Sequence, residues 1–141
     1  MSRSKNREEA FKLLYSIELV KDVDYKEQIE LFCNIENIEE EATKKYIIEI
    51  LDGVINNNET IENEIKENIK SDWTLSRISK IDITLLKLGI YEILFSKLPY
   101  KVVINEVVEL SKKYGDDKSK SFVNGVLASI VKKYNLIETS K

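Results

Sequence analysis

The sequence predicts an all-α protein, and three observations carry that expectation. Glycine and proline are scarce, four and one in 141 residues, which leaves too few turn and bulge residues for a sheet sandwich. Ile, Leu, Lys and Glu dominate a chain that is 43% hydrophobic, a composition that suits helices and can bury a core. Every apolar segment repeats at helical spacing rather than alternating. The expectation is one domain over residues 1–141, built as two small sub-bundles.

The elements follow in order. From Arg7 to Val20, the residues Ala10, Leu13, Leu14, Ile17 and Val20 form one buried stripe, and Phe11, Tyr15 and Leu19 form a second line on the same helix. A helix apolar on two faces either sits between two neighbours or offers one face to a partner. A short amphipathic segment covers 26–32. In "EEEATKKYIIEILDGVINN" (39–57), Ala42, Tyr46, Ile50 and Val54 run beside Ile47, Leu51 and Ile55, a third helix. The polar break "NNNET" (56–60) follows, with Asn58 as a cap, and Ile61, Ile65 and Ile69 mark a fourth helix ending near Trp73.

After a connector over 71–79, Ser79-Lys80-Ile81-Asp82 has the form of a capping box and opens the most hydrophobic helix, Ile81 to Phe95. Apolar around nearly its whole circumference, this helix is expected at the centre of the fold. Beyond Pro99, the β-branched run Val102-Val103-Ile104 suggests strand. The recurrence of Val103, Val107, Leu110 and Tyr114 decides for helix, with Gly115 where a left-handed cap belongs. A seventh helix over 118–134 places Phe122, Val123, Val126, Leu127, Ile130, Val131 and Tyr134 on a broad core face.

Asn124-Gly125, elsewhere a hairpin signal, therefore falls inside that helix. Glycine there costs about 1 kcal/mol relative to alanine, so some close approach to the backbone should offset it. Ser121, Gly125, Ala128 and Ser129 form a stripe of small residues opposite the core, with Lys118 and Lys132 at its ends. Either another helix packs there or an extended backbone, RNA or protein, lies across it.

The inventory also excludes function classes. Without histidine, the usual general base, the commonest metal ligand and every Ser/His or Cys/His pairing are missing. Gly53, Gly89, Gly115 and Gly125 are isolated, so no phosphate-binding loop forms. The acids of "IEEEA" (38–42) suit a helix N-terminus rather than catalysis. A non-enzyme with no cofactor and no metal site is expected. Cys33 is alone, no apolar run approaches the ~20 residues of a membrane span, and no signal-peptide core precedes the first helix. These features predict a cytoplasmic protein without a membrane partner.

A net charge of −3 and a pI near 5.2 argue against indiscriminate coating of nucleic acid and leave only a local basic patch. Arg3, Lys5 and Arg7 supply a candidate at the start of the first helix, where the dipole disfavours cations by roughly 0.3–1 kcal/mol. Such a run is either a solvated tail or an anion-binding end.

"RISKIDITLLKLGIYEIL" (77–94), "PYKVVINEVVELSKKYG" (99–115) and "SFVNGVLASI" (121–130), with "REEAFKLLYSIEL" (7–19), closely resemble the NusB family of bacterial transcription antitermination factors. The resemblance spans nearly the whole chain. It implies two perpendicular helical bundles with seven helices, and a non-enzymatic role. Family members bind the boxA element of nascent ribosomal RNA leaders together with NusE, a small-subunit ribosomal protein. The pair helps RNA polymerase resist termination.

Carried over residue by residue, the resemblance puts Arg3, Lys5, Arg7, Lys118, Phe122 and Asn124 on the RNA-facing region, and Tyr15 and Asp82 on the NusE-facing region. Phe122 serves there as a platform for an unstacked base, or packs into the core. The N-terminus is poorer in arginine than in many members, Lys118 stands where many have an acid, and Ala128 replaces a common aspartate. A similar bundle forms the RNA-binding domain of ribosomal RNA cytosine methyltransferases, but 141 residues leave no room for their catalytic domain. An adaptor or homodimer without RNA is the other alternative, since some members self-associate.

Overall fold

The computed structural model describes residues 2–20 and 22–136. Seven α-helices make up the described chain: α1 (Arg3–Val20), α2 (Tyr25–Ile35), α3 (Glu41–Asn56), α4 (Asn58–Glu67), α5 (Lys80–Ile90), α6 (Tyr100–Tyr114) and α7 (Ser119–Lys133). A 3₁₀ turn at Leu75–Arg77 leads into α5 and a π-helical turn at Tyr91–Phe95 ends it. No strand occurs among the described residues.

Helix α5 is the hub. Ile83, Leu85, Leu86, Leu88 and Ile90 are all buried, and α1, α4, α6 and α7 pack around it. Its start follows the expected capping logic, with Ser79 Oγ accepting from Asp82 N at 3.1 Å. The N-terminal helices α1, α2 and α3 pack on one another, and α1 links them to α5. On α1, Ala10, Phe11, Leu13 and Leu14 are core, Tyr15 and Ile17 are half-buried, and Leu19 and Val20 reach solvent.

Four local features differ from expectation. The break between α3 and α4 is the single residue Asn57, whose Nδ2 donates back to Gly53 O at 2.8 Å, so Asn58 is the first helical residue rather than the cap. Helix α4 stops at Glu67 because Asn68 folds back, Nδ2 to Glu64 O at 2.7 Å, and its Oδ1 accepts from Ser129 of α7. The hub helix leaves α geometry at Tyr91, where Ser96 N bonds Tyr91 O at 3.0 Å across a wider turn, and the chain then reverses through Lys97 at φ 55°. Gly115 is extended (φ −92°, ψ −172°) rather than left-handed. Glycine suits it because a Cβ would lie 2.4 Å from Ser119 Oγ and 2.8 Å from Ser111 O.

Helix α7 settles the small stripe. Ser121, Asn124, Gly125, Ala128 and Ser129 are exposed, and a Cβ on Gly125 would meet nothing within 4 Å. No helix packs across Gly125. Gly125→Ala is therefore expected to raise stability by up to about 1 kcal/mol through helix propensity alone, measured by urea titration. Gly125→Leu should also hold or raise stability. A loss for either variant would reveal a neighbour at that backbone.

Candidate nucleic-acid interface

The amino end of α1 begins one turn earlier than its apolar stripe. Ser2 caps it, its Oγ accepting from Lys5 N at 3.1 Å, and the first turn carries no acid. Arg3 is exposed and has no ion-pair partner among the described residues. Lys5 is exposed too, its Nζ 3.1 Å from Glu9 and 3.7 Å from Glu8 on the next turn. These two stand where an anion can reach them.

Arg7 does not. It is 4% exposed, its Nε and Nη2 donate to Glu92 at 2.6 and 3.2 Å, and its Nη1 donates to Glu106 at 3.1 Å. The π-helical turn carries Glu92 inward, where the Tyr46 hydroxyl also donates to it at 2.9 Å. Burial and the neighbouring carboxylate push the Tyr46 hydroxyl pKa well up, so it stays a donor. The Arg7 charge is thus matched inside the protein, unlike those of Arg3 and Lys5 at the exposed end of the helix.

Between α1 and the last turns of α6 lies a groove of about 710 Å³, where Lys5, Lys112 and Lys113 face the carboxylates of Glu8, Glu106 and Glu109. Glu8 ties the helices together, accepting from Lys113 Nζ and Tyr114 Oη, both at 2.5 Å. Lys113 and then Tyr114 hold the Glu8 carboxyl down at about 2. Lys112 pairs with Glu109 at 2.7 Å and Lys113 with Glu8, and their place in the last turn is the ordinary one for cations at a helix C-terminus.

Past Gly115, Asp116 organises the next corner. Its carboxylate accepts from Lys118 N at 2.9 Å and Ser119 N at 3.1 Å, which starts α7. Lys118 is exposed with no ion pair among the described residues, and Asn124 is exposed one turn beyond Ser121. Phe122 between them is half-buried and stacks on Trp73, centroids 5.8 Å apart and planes at 24°. Trp73, 41% exposed on the loop after α4, is the aromatic that sequence reasoning misses. Its one signal is a tryptophan in a polar connector.

The two partner-facing residues differ. Tyr15 is half-buried and stacks on Phe11 at 6.1 Å, with Leu19 exposed further along the same line. Asp82 is 8% exposed, and its Oδ1 has no hydrogen-bond partner among the described residues. Burial raises its pKa, opposed by Ser119 and reinforced by Asp116. Asp82 therefore sits largely covered beside Ser119 at the α7 corner. Among the described residues, no three His, Cys, Asp or Glu gather to hold a metal ion, and no helix is long and apolar enough to cross a membrane.

Comparison with known proteins places this geometry. Residues 4–132 match the model of the NusB family. The transcription antitermination protein NusB of Clostridium novyi is 41% identical over 138 residues, covering 94% of this chain and 99% of that one. Its counterpart in Clostridium acetobutylicum is 45% identical, covering 93% and 96%. Thermotoga maritima NusB superposes with a TM-score of 0.84 at 31% identity, covering 94% of this chain and 92% of that one. A chain from a crystal structure of antitermination factors NusB and NusE in complex with dsRNA gives 0.84 at 29% identity, covering 95% and 100%.

Proposed function

From the premise that the chain belongs to the NusB family, we propose that it is a transcription antitermination factor. It binds boxA-type RNA of ribosomal RNA leaders together with NusE, within the antitermination complex of RNA polymerase. It works in the cytoplasm and performs no catalysis. The observation that carries the RNA reading is the Trp73–Phe122 stack, half open to solvent and flanked by Lys118 and Asn124 at the start of α7. Unstacked bases lie on such platforms while nearby cations take the phosphates. Arg3 and Lys5, both exposed at the start of α1, supply the second cationic region. NusE docks on the face with Tyr15 and Leu19, where a half-covered apolar line remains.

Titration of single-stranded boxA RNA against a scrambled strand and a duplex tests this reading. Preference for the boxA strand is expected, with log affinity falling against log salt at a slope of roughly −2 to −3.5, as about three to five phosphate contacts predict. A slope near zero would remove the basic surface from the account. Binding of NusE without any RNA preference would mark a protein adaptor instead.

A further inference from the structure

The first turn of α1 is wound against its own electrostatics. It carries Arg3 and Lys5 and no acid, at the end where free N–H groups already amount to about half a positive charge. Besides the Ser2 cap, the pairs of Lys5 with Glu8 and Glu9, and the Thr43 hydroxyl that donates to Asn6 Oδ1 at 2.9 Å, the turn is held from α6. Ser4 Oγ donates to Glu106 Oε1, the same oxygen that accepts from Arg7 Nη1 at 3.1 Å. Glu106 does nothing comparable for α6: Val102, Val103, Glu109 and Leu110 occupy its i±3 and i±4 positions, so its only charged neighbour there is another acid. A carboxylate unfavourable on its own helix supplies the N-terminal acid that α1 lacks.

We propose that Glu106 is a positioning residue for RNA recognition, clamping the first turn of α1 so that Arg3 and Lys5 meet phosphates from fixed places. The proposal rests on the RNA reading above. Glu106 touches no RNA itself; it acts through Ser4 and Arg7, with Glu92 anchoring Arg7 from the other side. The clamp reverses an ordinary sign. Removing an acid beside a basic surface normally tightens RNA binding, whereas removing this one releases the two cations from their positions and weakens it.

The test uses the full chain, single-stranded boxA RNA and four variants: Glu106→Met, Ser4→Ala, Glu109→Gln and the double Arg3→Ala/Lys5→Ala. Glu106→Met should raise Kd about fivefold, the scale of a lost helix cap, and flatten the salt slope by roughly one as contacts worth −0.7 each are released. Ser4→Ala, a mild change at an exposed residue, should move Kd the same way by about twofold and carries the test if Glu106→Met does not fold. Glu109→Gln, an acid one turn along α6 and paired only with Lys112 among the described residues, should leave Kd unchanged or lower it. Hydrogen exchange should quicken at the bonded amides of residues 5–7 in Glu106→Met while those of α5 keep their protection, a pattern that general destabilisation would not produce.

Tighter RNA binding by Glu106→Met, or an unchanged salt slope, would overturn the clamp. The double variant separates the two levels. If Arg3→Ala/Lys5→Ala leaves Kd and slope untouched, the RNA reading of this helix end fails and takes the clamp with it. If the double variant binds weakly while Glu106→Met and Ser4→Ala bind normally, only the clamp fails.

Discussion

Arg7→Met is expected to cost about 3–5 kcal/mol of folding stability, the range seen when one member of a buried ion pair is removed. Glu92 is 1% exposed and faces Arg7 through two hydrogen bonds. Methionine keeps the length of the arginine stem but leaves that carboxylate charged, dry and answered only by the Tyr46 hydroxyl. Removing both partners should be far milder: Arg7→Met/Glu92→Met should recover most of the loss, because the desolvation penalty of the pair disappears with it. The Tyr46 hydroxyl then lacks an acceptor, which keeps the double variant about 1 kcal/mol below the parent. Urea titrations of the parent, Arg7→Met, Glu92→Met and the double variant measure the cycle. A single-variant loss under about 1 kcal/mol would mean that water reaches Glu92 and that the pair is not structural.

The next largest effect is expected on RNA. Trp73→Ala should weaken boxA binding about 5- to 150-fold, since base–aromatic stacking contributes roughly 1–3 kcal/mol per base. Phe122→Ala should fall in the same range, and the double variant should lose less than the sum, because the two rings form one surface at 5.8 Å. Trp73 is the sole tryptophan of the chain, so its fluorescence reports directly whether a base reaches it. Were the stack only a tether for the loop after α4, both variants would lose stability while the folded proteins bound RNA normally, with no change of fluorescence on titration.

Most of the architecture is legible in the order of residues along the chain. Period and composition identify seven helices and the central one, since a helix apolar all round has only one place to go. Legibility fails where a local pattern meets a distant group. The spacing of Ile69 extends α4 to Trp73, but Asn68 turns its amide back to Glu64 and meets Ser129, a residue 61 positions away. The family resemblance puts Asp82 on the NusE-facing region, and only the fold shows that its carboxylate is largely covered beside Ser119. Phe122 stays open between base platform and core, because its stacking partner comes from a loop with no periodicity to follow.

Helix count, hub and family, the last through three C-terminal segments, are all written in the linear chain, as is the exposed small stripe of α7 as one of two alternatives. These depend on side-chain order within a few turns, where neighbours at i+3 and i+4 are fixed by helix geometry. What the charges do is settled only by the packing of distant helices. Arg3, Lys5 and Arg7 look alike along the chain, two residues apart, but Arg7 faces inward to Glu92 and Glu106 while Arg3 and Lys5 face solvent. The division rests on carboxylates 85 and 99 residues away in sequence, brought within hydrogen-bond reach by the packing of α1 on α5 and α6. Coulomb interactions and desolvation act through space, so the same side chain becomes a structural counter-ion or a ligand for phosphate according to what the fold sets beside it.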